Sequence, residues 1–244
     1  AIPIQHDMWL ISLETLLMLY VLSDSSGNCC CCFCFVFVFL SLSLSFSFSY
    51  LFCIRHNHTH THTHTTPHRY GDGGRGKIME VHQELKKRDF LINWRDVSSD
   101  AEIVFVSHEW LSWAHPDPEG EQLRVLCRVL KRLKEGELDT DMDPFHTILY
   151  NHRFTTKRKD WKAILGQVYL WVDWFSMPQS SIVKEEKIGK EKMAVLRKEG
   201  SMAIQSIPAY VERSDFIMIL VPSLYHSDRK VPTCYRTWRR RGWC

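Results

Sequence analysis

Short hydrophobic runs divide the second half of the chain into alternating predicted strands and helices. Residues 101–107, 169–174 and 215–221 are rich in β-branched and aromatic residues and are bounded by polar ones, a pattern typical of buried strands. Between the first two runs, apolar residues recur every three or four positions over residues 121–134, which predicts an amphipathic helix. A second helical pattern over residues 201–213 precedes the last run. This order predicts a parallel sheet with helices on both faces.

Polar and aromatic residues follow the carboxyl ends of the first two predicted strands. Because ligands of open α/β sheets bind beyond the carboxyl ends of central strands, these residues are candidates for ligand binding. The candidates are Ser107, His108, Glu109, Trp110, Asp173, Trp174 and Ser176. We expect Asp173 to meet His108 and Glu109 at one edge of the sheet. The alternatives are that Asp173 only caps the turn after its strand, and that both tryptophans belong to the core.

Two charged regions separate the predicted strands. Residues 137–166 include basic side chains interleaved with Phe154 and Trp161, an arrangement that can hold nucleic acid, although a solvated insertion explains it as well. Residues 183–199 carry charges of both signs and predict an exposed helix interrupted near Gly189. In the following helical pattern, Pro208 predicts a kink or a restart.

Residues 1–75 differ from the remainder and are predicted to be a low-complexity apolar extension. Residues 29–54 carry no charge and could span a bilayer as a helix, with the basic residues after them on the cytoplasmic side. The dipeptide repeats at 41–49 and 59–65 favour a gene-model artefact instead, and they account for the alternating histidines without a metal site. We therefore expect a cytoplasmic protein, or a single-pass membrane protein if residues 29–54 are expressed.

Composition narrows the class of protein without selecting a ligand. The formal net charge of +3 is too small to predict a nucleic-acid partner by itself. Most of the nine cysteines fall within residues 29–53. The others, Cys127, Cys234 and Cys244, are scattered and predict neither a disulfide framework nor a zinc site. Residues 76–244 are sufficient for one folded domain with its own core.

The order of these motifs resembles that of TIR-like domains, and more closely their heterokaryon-incompatibility (HET) branch. Residues 104–110 (Val-Phe-Val-Ser-His-Glu-Trp) resemble the first TIR box, and residues 170–179 resemble the HET motif Trp-Ile-Asp followed by a stretch ending in Asn-Gln or Pro-Gln. Residues 206–225 resemble the helix and strand that end in Ser-Pro-x-Tyr, and residues 241–244 resemble the following Trp-Cys. The resemblance covers residues 102–244, and it departs from the family pattern at Trp174 and Met177.

The resemblance implies an α/β, flavodoxin-like (TIR-like) parallel sheet that is incomplete in this chain. It implies a signalling or self-association module of the cell-death or defence type, which acts through homotypic contacts. It also implies an alternative, hydrolysis of the nicotinamide glycosidic bond of NAD, with Asp173 and Glu109 on the ribose side and Trp110 or Trp174 stacked on a base. In TIR enzymes that cleave NAD, the catalytic Glu lies a few residues past the Trp-Cys. No residue follows Cys244 here, so we expect this segment to be inactive by itself.

Overall fold

The computed structural model describes residues 2–20, 34–39, 51–53, 79–142, 151 and 155–240, with the backbone alone for 34–39, 51–53 and 141–142. The strands are β1 (Trp9–Ser12), β2 (Cys34–Phe39), β3 (Leu51–Cys53), β4 (Leu91–Asn93), β5 (Glu102–His108), β6 (Thr140–Met142), β7 (Thr155–Thr156), β8 (Val168–Val172), β9 (Phe216–Val221), β10 (Tyr225–His226) and β11 (Val231–Pro232). The helices are α1 (Leu13–Tyr20), α2 (His82–Lys87), α3 (Glu121–Lys134), α4 (Arg158–Ile164), α5 (Asp173–Ser176), α6 (Glu185–Ile188), α7 (Lys190–Glu212) and α8 (Tyr235–Trp238).

The three predicted strands lie side by side and parallel at the centre of a mixed sheet. The strand order is β4-β1-β8-β5-β9-β2-β3-β6-β7, and Val104 of β5 is in register with Leu170 of β8 and Phe216 of β9. The α/β class and the parallel arrangement of β8, β5 and β9 are therefore confirmed. The expectation of a wholly parallel sheet is corrected, because β1 and β2 join this trio antiparallel on either side. An apolar strand pattern indicates that a strand is buried, but not whether it runs parallel or antiparallel to its neighbours. The sequence therefore could not reveal the antiparallel direction of these flanking strands.

Helices cover both faces of the central strands, as the sequence predicts. Successive side chains of a strand point to opposite faces, and Val104 and Val106 pack in one cluster with α3, whereas Ile103 and Phe105 pack in another with α7. The predicted helix over residues 121–134 has the predicted bounds, and its apolar stripe is buried. The connections from β5 to β8 and from β8 to β9 therefore place helices on opposite sides of the sheet.

Residues 9–20, which the sequence assigns to the apolar extension, form β1 and α1. Leu10, Ile11 and Leu16 are fully buried, and β1 lies between β4 and β8. Of the predicted membrane-spanning residues 29–54, the structure describes 34–39 and 51–53 as strands, and the rest lie outside the described residues. In the described part of the chain, every helix is too short or too polar to cross a bilayer.

Two local expectations change in the structure. Trp161 is buried on α4, and its indole Nε1 donates a hydrogen bond to Thr140 Oγ1 at 3.0 Å, so it cannot stack on nucleic acid. Pro208 neither stops nor restarts a helix, because α7 runs through it. Proline has no N–H to donate to the carbonyl of Ile204, so α7 lacks one backbone hydrogen bond at this turn. The interruption at Gly189, between α6 and α7, is as predicted.

Candidate functional site

A cavity of about 1350 Å³ lies between α7 and the sheet, at the carboxyl ends of β5 and β8. Its walls come from residues 105–110, from Trp171, Asp173 and residues 177–181, from α7, and from parts of residues 226–240. Gly200 allows α7 to approach the turn after β8, because a Cβ there would lie 3.3 Å from the carbonyl oxygen of Pro178. The cavity therefore occupies the place where α/β sheets bind their ligands.

A hydrogen-bonded pair of His108 and Asp173 joins the ends of β5 and β8. His108 Nε2 lies 2.8 Å from Asp173 Oδ1, and Trp110 Nε1 donates to Asp173 Oδ2 at 2.8 Å. The backbone N–H of Trp174 also donates to Asp173 Oδ1, at 2.7 Å. The expected meeting of Asp173 with His108 is confirmed, and Asp173 does more than cap its own turn.

Gln122 of α3 holds the His108 ring in place. Its Nε2 donates to the backbone oxygen of Glu109 at 2.6 Å, which leaves its Oε1 as the acceptor 2.9 Å from His108 Nδ1. Both ring nitrogens of His108 thus face acceptor oxygens. The buried His108 ring therefore links Gln122 of α3 to Asp173 at the end of β8.

Glu109 faces the opposite way, toward residues 222–238, which we term the strap. Its Oε1 accepts a hydrogen bond from the Arg229 guanidinium at 3.0 Å, and its Oε2 accepts one from Thr237 Oγ1 at 2.5 Å. Ser107 Oγ accepts a third bond across this boundary, from Trp238 Nε1 at 3.0 Å. The predicted meeting of Glu109 with Asp173 is therefore not direct. The Glu109 carboxylate instead ties the strap to the end of β5.

Three other predicted site residues occupy different environments. Trp110 is half-buried and lines the cavity. Trp174 is fully buried, with its Nε1 donating to the backbone oxygen of Met79 at 3.3 Å, so it is a core residue and cannot stack on a ligand. Ser176 is also buried, where its Oγ accepts a hydrogen bond from the Val172 N–H at 3.1 Å. Ser176 supports the turn and does not line the cavity.

Several cavity residues were not among the site residues predicted from the sequence. Arg197 of α7, Arg229 of the strap, and Arg240 just after the strap all line the cavity. Trp113, on the loop before α3, also lines the cavity and is 70% exposed. These residues lie far apart in the chain, so only the fold could bring them together.

His226 of the strap is neutral at the cavity wall. Burial lowers its pKa, and the neighbouring Arg229 guanidinium lowers the pKa further. Its Nδ1 accordingly acts as an acceptor for the backbone N–H groups of Asp228 and Arg229, at 3.3 and 3.2 Å. The neutral ring therefore holds the turn that carries Arg229 toward Glu109.

Fold and cavity together define the class: an α/β protein with a ligand-sized cavity at the carboxyl ends of its parallel strands. Comparison of the chain with family models, curated proteins and solved structures found no match.

Proposed function

We propose that this chain is a signalling domain of the TIR-like and HET-like class, with the flavodoxin-like fold of that class, and that its cavity binds a nucleotide of the NAD type. The observation that carries the proposal is the position and size of the cavity. Its volume of about 1350 Å³ can accommodate a dinucleotide, and it lies beyond the carboxyl ends of two neighbouring parallel strands.

The chemistry of the cavity walls supports a ligand that is both anionic and aromatic. Arg229 and Arg240 can bind phosphate oxygens, because a guanidinium presents paired donors that match phosphate geometry. Phe105, Trp171 and Ile207 give another part of the wall an apolar surface suited to a ring system. A nucleotide combines these two kinds of group.

Binding is better supported than hydrolysis of the ligand. Cleavage of a nicotinamide glycosidic bond requires a carboxylate free to stabilise the oxocarbenium-like transition state at the ribose. Asp173 is held by His108 and Trp110, and both Glu109 oxygens accept hydrogen bonds from the strap. Each carboxylate therefore already has protein donors for its charge. Homotypic self-association stays a prediction, and the cavity does not require it.

Isothermal titration calorimetry of the full chain with NAD tests the proposal, alongside an assay for released nicotinamide. We expect saturable binding at one site and no nicotinamide release. Arg240→Gln should weaken NAD binding about tenfold or more through loss of a charge-assisted hydrogen bond. Arg236→Gln is the matched control, because this exposed arginine on α8 does not line the cavity. An absence of saturable binding, or an equal effect of the two substitutions, would refute the proposal.

A further inference from the structure

Trp113 stands on the cavity wall with most of its side chain exposed, although tryptophan is usually well buried. Its exposed fraction is 70%, whereas Trp174 is fully buried and Trp110 is half-buried with its Nε1 bonded to Asp173. Leaving a large aromatic ring in water forgoes the stabilisation that burial provides. Packing within the described residues does not account for this exposure.

The Trp113 ring is nevertheless held in a defined position by the strap. Its backbone N–H donates to Asp228 Oδ2 at 2.7 Å, and its ring centroid lies 4.8 Å from that of His226 in an edge-on arrangement. The Arg229 guanidinium carbon is 5.3 Å from the ring centroid. An exposed ring with these contacts is oriented in advance, which reduces the ordering cost of stacking a ligand on it.

We propose that Trp113 is the residue on which the heteroaromatic ring of a phosphate-bearing ligand stacks in this cavity. This inference rests on the proposed nucleotide binding and makes it more specific, because it requires both an aromatic ring and a phosphate. Arg229 stands beside Trp113 to bind the phosphate. Only one of its nitrogens bonds Glu109 at 3.0 Å, and a guanidinium has five N–H donors. Trp113 therefore takes the stacking role that the sequence assigned to Trp110 or Trp174.

Calorimetric titration of Trp113 variants with three probes tests the inference. The probes are NAD, AMP, and ribose 5-phosphate, which has the phosphate but no base. We expect the wild-type protein to bind AMP more tightly than ribose 5-phosphate, and Trp113→Ala to weaken NAD and AMP binding about tenfold or more, as loss of one base stack does. Trp113→Phe should restore most of the affinity, and the affinity for ribose 5-phosphate should not change.

The matched control is Tyr225→Ala, which removes another exposed aromatic side chain of the strap that does not line the cavity. It should leave NAD binding unchanged. If Trp113→Ala binds NAD as tightly as wild type, or if Tyr225→Ala weakens binding equally, the stacking inference is overturned while nucleotide binding stands. If the wild-type protein does not bind NAD, the proposed function and the inference both fall. Because Trp113 is exposed, its variants should keep the wild-type urea midpoint.

Discussion

Truncation of Asp173 to alanine tests whether the hydrogen-bonded pair of His108 and Asp173 stabilises the fold. The substitution removes the acceptor of three hydrogen bonds, from His108 Nε2, Trp110 Nε1 and the Trp174 N–H. The His108 side chain is 2% exposed, so its Nε2 would lose its partner without gaining water. Leaving a buried polar group without its hydrogen-bond partner costs about 1–3 kcal/mol of unfolding free energy.

The coupling between the two residues distinguishes their hydrogen bond from unrelated packing losses. His108→Leu removes the imidazole, and in that background Asp173→Ala no longer leaves His108 Nε2 without its partner. We therefore expect Asp173→Ala to cost at least about 1 kcal/mol less in the His108→Leu background than in wild type. Urea unfolding of the four proteins, followed by tryptophan fluorescence at pH 7, measures this difference.

An exposed ion pair on α2 is the control. Glu84 Oε1 lies 2.8 Å from Lys87 Nζ, and both side chains are more than half exposed. Glu84→Ala should therefore cost no more than about 1 kcal/mol. If the effects of Asp173→Ala and His108→Leu simply add, to within about 0.5 kcal/mol, the two groups are not coupled and the stabilising role of their hydrogen bond is refuted.

Two further predictions concern stability. Burial lowers the pKa of His82 to about 4. Between pH 6.5 and pH 4, the unfolded state therefore binds a proton at this residue that the folded state does not bind. The free energy of unfolding consequently decreases as the pH falls through this range. Between pH 7 and pH 5 the wild-type unfolding free energy should drop roughly 2 kcal/mol more than that of His82→Gln; equal drops would contradict this assignment. Trp161 Nε1 has an acceptor at 3.0 Å, whereas Trp171 Nε1 has none among the described residues. In urea unfolding, Trp161→Phe should therefore lower the unfolding free energy by about 1–2 kcal/mol more than Trp171→Phe does. Equal losses would show that the hydrogen bond makes no difference.

The central strands were predictable because strands buried on both faces consist almost entirely of apolar residues. Residues 103–106 and 216–221 show this pattern, and the leucine spacing over 121–134 separates the helix from the strands. Since the carboxyl ends of parallel strands meet at one edge of a sheet, the meeting of His108 with Asp173 followed from strand direction alone. These parts of the fold are encoded in local patterns.

Other parts of the site depend on contacts between residues distant in the chain, which no local pattern encodes. Gln122 occupies a polar position of α3, yet it is buried because it bonds both His108 and the backbone oxygen of Glu109. Thr237 bonds Glu109 across 128 residues. The strap contains only two-residue strands and one short helix, which are too brief to show a hydrophobic period.

The side chains of residues 107–110, at the end of β5, point alternately to two different walls of the cavity. Side chains of an extended chain point alternately to opposite sides. His108 and Trp110 bond Asp173, whereas Ser107 and Glu109 bond the strap. The segment Ser-His-Glu-Trp thus divides its polar groups between the neighbouring strand β8 and the strap. Because both acids are held by protein donors, we propose that the cavity binds a ligand and does not cleave it.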